Sequence, residues 1–242
     1  MKRISRFLVA SFRALSVIFF WGCVAAQADV GLDAQAIQHG KALFNDKAVC
    51  FGCHGSNGVI SSVTNPNVAK LNPSPTDLRE PTDKSVRQLY LIIKYGIPST
   101  GMGPIQEATG LRDEDMGDLI SYLLDLQGRT LPAGDIHHYM FRADTETDLA
   151  ISVKCEAEAI GNSDAMAFCE DRYAKRYRDL LVGRPPDIPT ARYVKIETEC
   201  KQRFGADLDG LARCFRMEFS LTRQRATESG KKGRLPQNPT DP

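Results

Sequence analysis

Cys50-Phe51-Gly52-Cys53-His54 is the stretch that decides how this chain is read. Two thiols three positions apart can each form a thioether with one vinyl group of a haem, and the adjacent histidine then lies on one haem face, able to ligate the iron. A redox C-x-x-C pair followed by an incidental histidine is the competing reading, and it requires a thioredoxin-like strand beforehand. Residues 33–47 read as a helix instead: Ala36, Ile37, Gly40, Leu43 and Phe44 recur at helical spacing after Asp33, a capping residue.

The N-terminus sets the expected compartment. Residues 1–13 carry Lys2, Arg3, Arg6 and Arg13 with no acid, an apolar run follows to Ala26, and Ala26-Gln27-Ala28 completes an A-x-A site. That is the pattern of a secretory signal peptide over residues 1–28, which predicts export to a bacterial periplasm. Lipoprotein cleavage at Cys23 is the alternative. The apolar run is too short to span a bilayer comfortably, and no later segment is longer.

Seven cysteines then divide cleanly. Cys23 leaves with the signal, Cys50 and Cys53 take the haem, and Cys155, Cys169, Cys200 and Cys214 remain. An even remainder in an oxidising compartment predicts two disulfides. Residues 29–128 hold 8 basic and 12 acidic side chains, and residues 129–242 hold 19 and 18. Neither half has the basic excess that nucleic acid demands.

Two further helices complete residues 29–128. Thr82 is expected to cap one that carries Val86, Leu89, Tyr90 and Ile93 and stops at Gly96. Another starts near Asp113 with acids in its first turn, bears Met116, Leu119, Ile120, Leu123 and Leu124, and ends at Gly128. No segment sustains strand alternation, so the fold class is all-α. A buried haem compensates for so thin a core. Met102 lies 48 residues beyond His54 in the loop Tyr95-Gly96-Ile97-Pro98-Ser99-Thr100-Gly101-Met102-Gly103-Pro104. Its thioether is the expected second axial ligand, which would raise the potential. Met116 sits on a core stripe and His39 on an exposed one, so both are weaker candidates.

Residues 35–128 resemble a class I cytochrome c domain. The matching pieces are Gly40-Lys41-Ala42-Leu43-Phe44, Cys50 to His54 followed by Gly55, the Tyr95 to Pro104 loop, and Ile120-Ser121-Tyr122-Leu123. The resemblance implies one covalent haem c, His54–Met102 ligation and one-electron transfer. It also implies that Gly40 and Phe44 cross the last helix near Tyr122. Pro73-Ser74-Pro75-Thr76-Asp77-Leu78-Arg79 is similar to the family's loop beside the haem propionates, making Arg79 either a propionate partner or a surface arginine.

Residues 145–222 resemble no family. Cys155 and Cys169 are 14 apart, as are Cys200 and Cys214, and each pair brackets a helix stop: Gly161-Asn162-Ser163-Asp164 and Gly205-Ala206-Asp207. Helical stripes flank both turns, which predicts repeated αα-hairpins. Positions equidistant from a turn face each other, favouring Cys155–Cys169 and Cys200–Cys214 over Cys155–Cys214 with Cys169–Cys200. Zinc is disfavoured by the long spacing. Gly183 to Pro189 separates the hairpins, residues 129–144 are expected to be an exposed linker despite the copper-like set His137, His138 and Met140, and residues 223–242 a disordered tail.

The expected role is a periplasmic electron carrier between a dehydrogenase, quinoproteins included, and a cytochrome or oxidase. The alternatives are a haem subunit with an exchangeable iron ligand, or a redox sensor or assembly factor.

Overall fold

The computed structural model describes residues 33–232. The expected signal peptide with Cys23, and residues 233–242 of the expected tail, lie outside them. Ten α-helices and no strand occur among the described residues. None of those helices is long and apolar enough to cross a membrane.

Helix α1 (residues 33–45) crosses α5 (Asp113–Leu126) where Gly40 lies against the Asp118 backbone. One turn on, the rings of Phe44 and Tyr122 meet edge to face, 5.5 Å between centroids. Both rings are buried, as are Leu119, Ile120 and Leu124 of α5. Between these helices the chain runs through the short α2 (Phe51–His54), α3 (Val86–Tyr95) and α4 (Ile105–Thr109).

The cap of α3 is Ser85, not Thr82. Ser85 Oγ accepts from Gln88 N at 3.1 Å and Gln88 Oε1 accepts from Ser85 N at 3.2 Å. This reciprocal box satisfies two donors at once. Thr82 has Ser85 three residues on and cannot form one; its hydroxyl accepts from Lys84 N in the preceding turn.

The expected linker is α6 (Ala133–Phe141), a packed helix. Ile136 and Met140, one turn apart, are fully buried, and the Met140 sulfur packs beside Gly117 of α5. His137 and His138 stay exposed on the other side, so the three copper-type donors do not converge. Among the described residues no group of three or more His, Cys, Asp or Glu side chains forms a metal cluster.

Two hairpins follow. Helices α7 (Glu146–Ala159) and α8 (Ser163–Leu181) are joined by Cys155–Cys169, and α9 (Thr190–Phe204) and α10 (Leu208–Lys232) by Cys200–Cys214. The Cα–Cα distances are 5.6 and 5.8 Å. Asn162 caps α8, accepting from Asp164 N and Ala165 N, both at 3.0 Å. Helix α10 runs past the expected start of the tail because Arg223 still has a partner: it grips Asp187 with two bonds of 2.7 and 3.1 Å.

One apolar core runs from Phe44 and Leu119 through Met140 to Ile151, Cys155 and Leu181, so the first hairpin shares the core of residues 33–128. The second hairpin has its own, around Ile188, Ile196 and Phe215. Helix α3 is the seam between the halves. Arg87 donates to the Met140 carbonyl at 2.8 Å and to Asp148 of α7 at 3.1 Å. Lys84, just before α3, donates to the carbonyl of Arg184 at 2.7 Å.

Candidate functional site

Helix α1 ends in a tight turn, Ala48 N donating to Leu43 O at 2.8 Å, and Val49 takes a positive φ of 54° before the C-x-x-C-H turn begins. Gly55 closes that turn at φ 77°, where a Cβ would lie 2.0 Å from Val59 O. Only glycine fits there. Cys50 and Cys53 are half-buried and unpaired, while the other four cysteines of the described residues form disulfides. Burial pushes the Cys50 thiol up to about 12. A thioredoxin-type pair does the reverse, lowering its nucleophile's pKa.

His54 is half-buried, and its Nδ1 lies 3.0 Å from the Thr76 carbonyl oxygen. A carbonyl only accepts, so Nδ1 carries the hydrogen and Nε2 presents its lone pair. Burial lowers the His54 pKa against the opposing pull of that bond, which favours the neutral ring a metal requires.

The methionine loop is tied internally. Gly96, at φ 73°, leaves space that a Cβ would fill to within 2.4 Å of Met102 O. Ile97 N donates to that same oxygen at 2.9 Å, and Met102 N donates to Thr100 Oγ1 at 3.1 Å. The Met102 side chain is half-buried. Leu71 packs against Gly101 from outside, its Cδ1 3.0 Å from where a Cβ would be.

A single segment, residues 71–79, thus serves both candidate ligands: Leu71 backs the methionine loop and Thr76 orients His54. Leu78 anchors it by donating its N–H to Gly58 O at 3.0 Å. Arg79 is exposed and grips Asp77 with bonds of 2.9 and 2.7 Å. That pairing holds the Asp77 carboxyl down at about 2. Arg79 already has a carboxylate partner, and a propionate would have to share it. Met116 is fully buried in α5. His39 is half-exposed and bonds Asp118 at 2.7 Å. Leu71 lies outside the segments singled out in the sequence, and Thr76 and Thr100 lie inside them without a role assigned. A backbone carbonyl such as Thr76 O leaves no trace in residue identity, while the Thr100 hydroxyl, two residues from Met102, was open to an ST-turn reading.

The family model described as Cytochrome c matches residues 37–127. This segment is a cytochrome c domain. The match ends one residue after α5, so α6 and both hairpins of the chain lie beyond it. No curated protein and no solved structure matches the chain.

A cytochrome c domain implies covalently bound haem c. The residues present fit that group by their donor set: two thiols kept out of disulfides, an imidazole whose free nitrogen is Nε2, and a soft thioether on a loop drawn in by glycines. The cytochrome c domain supports a haem-based electron-transfer role.

Proposed function

We propose that the chain is an exported monohaem carrier that moves single electrons in a periplasm, from a dehydrogenase (quinoproteins included) to a cytochrome or an oxidase. The observation that carries this reading is the pair of unpaired thiols beside His54, with the His54 tautomer already set by Thr76.

Cys50 and Cys53 would hold the haem, each thiol adding across one vinyl double bond, sulfur to one carbon and hydrogen to the other. His54 would ligate through Nε2 and Met102 through its sulfur. Bound there, haem c supplies a one-electron ferric/ferrous couple. Thr76 keeps the His54 ring from rotating, and Thr100 and Ile97 keep the Met102 backbone fixed. Fixed ligands change little between oxidation states, which suits transfer rather than bond chemistry at the iron. The two disulfides suit an oxidising compartment. The acidic balance of residues 29–128 favours partners with a basic docking patch, met weakly and transiently.

Optical spectroscopy of the purified holoprotein tests it. The expected ferric spectrum is low-spin, with the far-red band of methionine ligation, and the ferrous form resists carbon monoxide. Immediate binding of carbon monoxide or cyanide by the native protein would favour the haem subunit with an exchangeable ligand instead.

A further inference from the structure

The last residue of α3 is gripped by α8 at two points. The Tyr95 hydroxyl donates to Asp171 Oδ1 at 2.8 Å, and Arg178 Nη1 donates to the Tyr95 carbonyl at 3.3 Å. Carbonyls at the end of a helix have no partner within it, so Arg178 satisfies one that residues 37–127 leave open. Tyr95 is buried, and Asp171 is further surrounded by Lys94 at 3.6 Å and Lys175 at 3.3 Å.

The residue after Tyr95 is Gly96, against whose bare Cα the Met102 carbonyl closes, and Ile97 N bonds that carbonyl at 2.9 Å. Helix α8 therefore reaches the Met102 backbone through Tyr95, Gly96 and Ile97 without a gap. Helix α8 is itself stapled to α7 by Cys155–Cys169.

The geometry points to a role for the first C-terminal hairpin: its Asp171 and Arg178, both on α8, are positioning residues that hold the Tyr95–Gly96 joint closed and keep Met102 on the iron. This rests on Met102 being the axial ligand. Opening the loop must let Gly96 and Ile97 swing away from Met102, and a Tyr95 pinned on both its side chain and its carbonyl resists that swing. The first hairpin thus tunes how readily the ligand leaves, and hence the potential and the closure of the iron to small molecules.

The test uses ferric full-length holoprotein and the rate of cyanide binding, which requires the methionine to leave. Tyr95→Phe keeps the ring and removes one bond; Arg178→Ala removes the other. Each is expected to speed cyanide binding about tenfold, the scale of one lost hydrogen bond to a charged group, and to lower the reduction potential. Arg192→Ala is the control for stability alone. Its ion pair with Glu218 ties α9 to α10 at 2.6 Å, and its hydrogen bonds go to Glu218 and Thr222 of α10; wild-type cyanide kinetics are expected. Wild-type kinetics in both Tyr95→Phe and Arg178→Ala would overturn the inference, as would equal acceleration by Arg192→Ala. Met102→Ala separates the two levels. If it retains the far-red band, the ligand assignment fails and the inference with it; if it loses the band while Tyr95→Phe and Arg178→Ala both behave as wild type, only the inference fails.

Discussion

A Cβ on Gly40 would sit 1.9 Å from the backbone carbonyl oxygen of Asp118, nearer than any two such atoms can approach. Helix α1 and helix α5 therefore touch backbone to backbone, and the contact fixes where α1 delivers the C-x-x-C-H turn. Gly40→Ala must push the helices apart, and backbone, unlike a side chain, has no rotamer to yield. A loss of about 3 kcal/mol is expected, at the upper end of overpacking costs. Phe44→Ala, which empties a fully buried ring site against Tyr122, is expected to lose about 3–5 kcal/mol. Urea unfolding of the holoproteins measures both; a Gly40→Ala variant as stable as wild type would show that the crossing is looser than described.

The ion pair between Arg87 and Asp148 joins α3 to α7, and both side chains are largely buried. Removing one partner strands the other charge. Arg87→Ala is expected to cost about 3–5 kcal/mol, whereas the double change Arg87→Met with Asp148→Leu should recover most of it, since buried pairs exchange with apolar side chains at little net cost. Equal losses in the single and double variants would contradict this.

Each disulfide closes a loop of 14 residues' separation. Replacing Cys155 and Cys169 together by Ser is expected to cost about 3 kcal/mol, and likewise for Cys200 and Cys214. Because Cys155 and Cys169 belong to the core that also holds Phe44 and Leu119, the first double variant should lower the unfolding midpoint of the haem signal itself. The second should act mainly on the far-ultraviolet helix signal of α9 and α10.

Asp171 gives the α3–α8 contact a pH signature. Burial works against its charge, yet the Tyr95 hydroxyl, Lys94 and Lys175 hold its pKa below the ordinary 3.8. A carboxyl depressed on folding contributes stability that is complete above the unfolded value and lost as pH falls through the folded one. Wild type should therefore exceed Asp171→Asn in stability by a constant margin near neutrality, and the margin should shrink below about pH 4. Thermal unfolding of both proteins across that range checks it. A margin independent of pH would mean that Asp171 acts without its charge.

What residue order revealed was local. The C-x-x-C-H turn, the glycine-flanked Met102 and the two turns centred between Cys155 and Cys169 and between Cys200 and Cys214 are all short-range grammar, and glycine, cap and cysteine spacing express it directly. Helix α6 was half-visible: Ile136 and Met140 stand one turn apart, but His137 and His138 between them drew attention to the wrong face. The seam along α3 was invisible. Arg87 finds Asp148 61 residues away, and Tyr95 finds Asp171 76 residues away. No local pattern marks either partner, because many arginines and aspartates on these helices look alike until the fold brings particular ones together. Thr76 escaped for a different reason: its contribution to His54 is a carbonyl that every residue carries.

Intact-mass spectrometry of the denatured, purified holoprotein tests most directly the proposal that Cys50 and Cys53 carry one covalently attached macrocycle. The polypeptide is expected to be heavier by one haem, red, with no thiol left to alkylate at Cys50 or Cys53. A mass equal to the bare polypeptide, with both thiols free or joined to each other, would contradict it.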